Sequence, residues 1–284
     1  MKEHPIVEFA KKYEEEQRNR KLTAREIAYN CLKVLGFIVL VIVLSFFMTA
    51  NGATVVFQVD GLKNATVEEG TNFVLKAGNG IRLVGRSEDW QSGDGVVFNA
   101  KGSGALPLRV EASNETSGKY VKTLFVVVTN APSIKLFESI VASKERFRIG
   151  GRESGNTLFN AEAVVDAGAF TIADWSVNLQ PKAKLSGGAR QMITIVFKEP
   201  QKLEEMQFGG EGRPEWGRGF RGGFLEFIAV SDTVSEPVHE AVAHYFRLKH
   251  GLPLDVQSTP EGRAQGSAIG VNFSGKFATI YSVR

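Results

Sequence analysis

Beyond Thr54 the chain alternates short apolar runs with clusters of glycine, asparagine and aspartate. The runs "TVVFQV", "NFVLKA", "GIRLVG", "GVVFNA", "LPLRVEA", "TLFVVV", "SIVAS" and "RFRIG" are rich in β-branched and aromatic residues and bounded by turn formers, which predicts a series of strands. That rhythm is the one expected of a β-sandwich. A later run, "FLEFIAV", reads as a buried strand preceded by the glycine-rich loop "GEGRPEWGRGFRGG".

The pattern then changes period. Val238, Val242, Tyr245 and either Leu248 or Lys249 recur at helical spacing and form a narrow apolar stripe. Ser235 suits an N-cap, Glu236 and Pro237 suit the first turn, and Lys249 and His250 suit the last, before Gly251 and Pro253 stop the helix. A stripe of this width must lie on something larger, so the helix is expected to dock on the sandwich.

At the other end, "VLGFIVLVIVLSFFM" belongs to an uncharged stretch from Val34 to Val59. Its length is near the lower limit for spanning a bilayer. The mixed-charge region before it is long for a signal peptide, so an uncleaved anchor is the reading preferred to a cleaved leader. Arg18, Arg20, Lys21, Arg25 and Lys33 crowd its N-terminal side, and only Lys63 lies close on the other. The positive-inside rule then places the N-terminus in the cytoplasm and the large domain outside it. The expected organisation is a helical tail at 1–33, a single transmembrane helix at 34–53 in membrane lipid, and one extracytoplasmic domain at 54–284. A split near residue 131, at "TNAPS", is the alternative.

Composition narrows the function classes. The chain has 284 residues, 43% hydrophobic, with 30 glycines, and its single cysteine, Cys31, precedes the apolar stretch, so the outer region must stand on packing without disulfides. Of 34 basic and 31 acidic residues, the first 33 positions hold eight and six, which leaves the outer domain nearly neutral. Nucleic acid is therefore not an expected partner, because there is no excess charge to release counterions.

Several of these segments carry a resemblance. Gly223, Glu226, Tyr245, Lys249, Gly251 and Leu252 match the closing pattern of concanavalin A-like, laminin-G-like domains: a glycine-led strand with an acidic residue, then a helix ending in Tyr-Leu-x-x-Lys-aromatic-Gly-Leu. Phe246 stands in place of the leucine and His250 in place of the aromatic residue. Upstream, "EDWQSGDG" resembles the Trp-x-x-x-Ser-Gly-x-Gly loop of such domains with shortened spacing, and "KTLFVVVTNAP" looks like an early core strand. "RFRIGG", "FTIADWSVNL", "ARQMITIVF" and "MQFGGEG" follow in the order of successive sandwich strands. The resemblance implies a mainly β, concanavalin A-like sandwich (jelly roll) with one docked helix, over nearly all the chain after the anchor.

Candidate chemistry is sparse. His239 and His244 are five apart, which leaves them roughly 140° apart around a helix, so they do not form a zinc pair, and no metal or cofactor is expected. Glu226 stands alone on its strand, and Glu204 and Glu205 would face opposite ways if extended, so neither makes an acid/base pair of the kind a sandwich glycosidase needs. No catalytic residue is assigned. The candidate ligand site is the loop with Arg213, Glu215, Trp216 and Arg218, which offers an aromatic face beside fixed charges; Trp90 is a lesser candidate and Trp175 is expected in the core. The function implied is a non-enzymatic binding or adhesion protein for a glycan or a protein, with homo-oligomerisation open. Its alternatives are a structural part of an envelope machine or membrane-containing virion and, last, a degenerate glycosidase.

Overall fold

The computed structural model describes residues 10–18, 20, 29, 53–61, 65–67, 72–87, 89–93, 95–98, 107–130, 139–143, 148–152, 158–159, 172–183, 185–210, 220 and 222–273. The chain divides into two compact units, Met1–Asn51 and Gly52–Arg284. In the first, residues 10–18 are helical, and an exposed Arg20–Glu16 pair closes at 3.8 Å with the i,i+4 spacing that supports a solvated helix. Among the described residues, no helix is long and apolar enough to cross a membrane; the expected span at 34–53 lies outside them except for Ala53.

The second unit is mainly β. Its strands begin with β1 (Val55–Asp60), β2 (Ala65–Val67), β3 (Asn72–Lys76), β4 (Arg82–Arg86), β5 (Trp90–Gly93), β6 (Gly95–Phe98), β7 (Leu108–Val110) and β8 (Tyr120–Asn130). They continue with β9 (Ser139–Ser143), β10 (Arg148–Arg152), β11 (Leu158–Phe159), β12 (Ile172–Val177), β13 (Gln180–Pro181), β14 (Arg190–Lys202), β15 (Met206–Phe208) and β16 (Gly222–Val230). Two helices close it, α1 (Glu236–His250) and α2 (Pro260–Ala268). Each of the eight early runs named from sequence overlaps a strand.

All described pairings are antiparallel and fall into two sheets. The first has the order β13-β12-β14-β8-β16-β6-β5, with β1 also on β16; the second runs β11-β10-β9-β15-β7-β4-β3-β2. Each sheet mixes strands from before and after residue 131. Buried side chains from both, such as Phe73, Leu83, Leu108 and Phe208 from one and Leu124, Val126, Ile195 and Phe227 from the other, form one core, which is the arrangement of a sandwich. Trp175 joins this core as expected. Trp90 does too: it is 2% exposed, between Phe73 and Phe224, so this candidate is corrected to a packing residue whose ring fills the space between the sheets.

Sheet one has a second covered face. In β8, Leu124, Val126 and Val128 point to the inter-sheet core while Phe125 and Val127 point to a second cluster under α1, which explains why "TLFVVV" is apolar without alternation. Val238, Val242, Tyr245 and Phe246 of α1 complete that cluster. The helix starts and stops where its punctuation predicts, with Ser235 extended and Gly251 left-handed at φ 67°. Ser235 makes no capping bond; its hydroxyl instead bonds Gln265 Oε1 at 3.0 Å, tying α1 to α2. The second helix has a glycine-rich sequence of low propensity. It is held by a Thr259 cap, whose Oγ1 accepts from Gly262 N at 3.0 Å, and by contact with α1 so close that a Cβ on Gly262 would collide with the Pro237 carbonyl.

Candidate functional site

Strand β16 carries the one buried glutamate of the described residues, and a local irregularity decides where it points. Against β8, Phe224 pairs with Val128 and Glu226 with Val127, so Leu225 is an extra residue, a β-bulge. Phe224 and Phe227 face the inter-sheet core, whereas Leu225 lies in the helix-side cluster and the Glu226 carboxylate meets side chains of α1. Counted from Phe224 by strict alternation, Glu226 would point between the sheets. The bulge turns it toward the helix.

There it is fully buried and fully bonded. Oε1 accepts from Gln58 Nε2 at 2.8 Å and from the Tyr245 hydroxyl at 3.0 Å; Oε2 meets Lys249 Nζ at 2.6 Å and His250 Nε2 at 2.7 Å. Lys249 is equally engaged, since its ammonium also reaches Asp60 Oδ2 at 2.9 Å and the Tyr245 oxygen at 2.8 Å. Asp60 is delivered to this point by β1, where it pairs directly with Glu226 across the ladder. Gln58, from the same strand, also exchanges bonds with the backbone of Asn272, at 2.9 and 3.2 Å. The cluster thus binds β1, β16, α1 and the segment after α2.

The electrostatics follow from burial and from Glu226. Burial, and then the Glu226 charge, push the Tyr245 phenol well above its usual range. For Lys249 burial alone would lower the ammonium, but the Glu226 charge together with hydrogen bonds to Glu226, Tyr245 and Asp60 outweighs it and holds the group up. A cleft of about 360 Å³ opens beside the cluster, lined by Val55, Phe57, Gln58, Asp60, Gly78, Asn79, Glu226, Tyr245, Lys249, Gly270 and Asn272. Asn79 is committed as well, donating to the Val56 carbonyl at 2.5 Å.

The histidines behave as structural groups. His239 Nε2 stands 3.0 Å from Thr194 Oγ1 with its ring on Phe125, and burial lowers its pKa against the raising effect of Glu236, Glu240 and Asp174. His244 Nδ1 bonds Ser258 at 2.8 Å; burial, then Arg247 and Arg263, lower it. No group of three or more metal-ligating side chains occurs among the described residues.

Arg213, Glu215, Trp216 and Arg218 lie outside the described residues. Sequence reasoning did not assemble the Glu226 cluster, because a lone strand glutamate looks isolated until the helix lies over it. The signal was nonetheless present: Glu226, Tyr245 and Lys249, three residues of the closing pattern, meet in this cluster. No protein-family model, curated protein or solved structure matches this chain.

Proposed function

We propose that the chain is a membrane-anchored, non-enzymatic binding or adhesion protein. It displays a concanavalin A-like, lectin-like jelly roll outside the cytoplasm, with 34–53 in the bilayer and Trp216, Arg213, Arg218 and Glu215 as the ligand loop. One observation carries the non-enzymatic part: the ionisable groups at the cleft by α1 are committed to one another, four partners on Glu226 and three on Lys249. A general acid or base acting on a bound substrate needs an open position for that substrate's proton, and every position on this carboxylate is taken by a group of the chain itself. The cluster acts as a clamp for the helix, which leaves recognition to loops on a rigid scaffold.

The test is a glycan array on the detergent-solubilised full chain, repeated with Trp216→Ala. A lost stacking contact of about 1 kcal/mol corresponds to roughly fivefold weaker binding, with the thermal midpoint unchanged. An array silent for both proteins, with oligomers disturbed by the substitution, would transfer the loop to an assembly role.

A further inference from the structure

We propose that Lys249 and Asp60 become joined by an isopeptide bond, with the buried Glu226 carboxylate moving the protons. The pair comes from elements far apart in sequence, β1 and α1, yet Nζ stands 2.9 Å from Asp60 Oδ2, with the carboxyl carbon one bond beyond. A second carboxylate touches the same nitrogen at 2.6 Å. The side chains of Lys249, Asp60 and Glu226 are only 15%, 11% and 0% exposed.

Each fact removes an obstacle to condensation. An ammonium and a carboxylate do not condense in water because the nitrogen has no free lone pair, the carboxylate is a poor electrophile and hydration stabilises both ions; burial withdraws part of that hydration. Holding the reactants in contact replaces a bimolecular encounter with a unimolecular step. A neighbouring carboxylate within hydrogen-bond reach supplies the proton transfer.

The step balances without any further reagent. A proton passes from Nζ to Glu226 Oε2, leaving a neutral amine whose lone pair attacks Asp60 Cγ and forms the C–N bond. Glu226 returns its proton to an Asp60 oxygen, takes the second nitrogen proton and relays it to the same oxygen, which leaves as water. Ammonium and carboxylate become a secondary amide plus one water, and Glu226 ends as it began. Tyr245 and His250 hold the Glu226 carboxyl on its two oxygens throughout. Because the cluster favours the ammonium, the first proton transfer, from Nζ to Glu226, is the uphill step of the sequence. It would fasten β1, the first strand after the apolar N-terminal stretch, covalently to the docked helix.

Mass spectrometry of the intact, full-length protein tests this. The expected result is a mass lower than the sequence by one water, the fraction rising with incubation at mildly alkaline pH, and a branched tryptic peptide joining the Asp60 and Lys249 segments. Asp60→Asn should form the same link with loss of ammonia in place of water, and Glu226→Gln should retain the full mass while keeping a native near-ultraviolet circular dichroism spectrum. Folded wild-type protein that keeps its full mass after prolonged incubation overturns the proposal. So does a loss of water that maps to any site other than the Asp60–Lys249 pair.

Discussion

At the residue scale, Glu226 shows how a wholly buried charge is tolerated: each oxygen has two partners, and an ammonium stands 2.6 Å away. Removing one member of such a group leaves the others buried and uncompensated, which costs more than the group contributes when intact. Glu226→Ala should therefore destabilise the second unit, Gly52–Arg284, by about 3–5 kcal/mol, read as a lower urea midpoint with little change in slope. Glu226→Gln keeps the shape and some of the bonds and should lose less. The importance of this residue was only half legible in the sequence. Its strand and its place in the closing pattern could be read, but not the bulge at Leu225 that aims it, because one extra residue in a ladder leaves no mark in an apolar run.

At the element scale, α1 was the most legible part of the chain. Its caps are local chemistry, and its boundaries at Glu236 and His250 follow from them. Its pH response is not local, because it depends on the sheet beneath. His239 is half-buried against β8 and β14, and the partial loss of water lowers its pKa, so the unfolded chain takes up the proton first as pH falls below the ordinary value of about 6.5. The resulting stability is complete above that value and declines as pH drops through the window below it. Denaturation midpoints should thus be lower at pH 5 than at pH 7, and His239→Gln should flatten the difference. The neighbouring α2 was not anticipated, since its glycines argue against a helix; Gly262 brings its backbone up against Pro237, and Gly266 lies against the Phe273 ring.

At the scale of the whole molecule, the two units Met1–Asn51 and Gly52–Arg284 obey different rules. The uncharged run from Val34 and the basic flank before it predict that the intact chain partitions into membranes. Protease added outside cells or spheroplasts should remove the large domain and spare residues 1–33. Recovery of the full chain, beginning at Met1, in the soluble fraction would rule this out. The β-rich unit holds together through long-range pairings: β1 lies on β16 near the other end of the chain, and the central strands β8, β14 and β16 are buried on both faces. Such a fold depends on contacts remote in sequence, and its formation should be correspondingly slow.

The sequence by itself determined the β-rich class, most strand positions and the limits of α1, because β-branched runs, turn formers and helix caps act within a few residues of where they occur. It also determined that Trp175 belongs inside. Only the tertiary structure decided that Trp90 is core rather than surface, that β1 closes on β16, and that Glu226, Lys249, Asp60, Tyr245 and Gln58 share one buried cluster. Those outcomes depend on register, a single bulge and the docking of a helix onto a sheet. The free energies involved arise between residues that the chain keeps far apart until it folds.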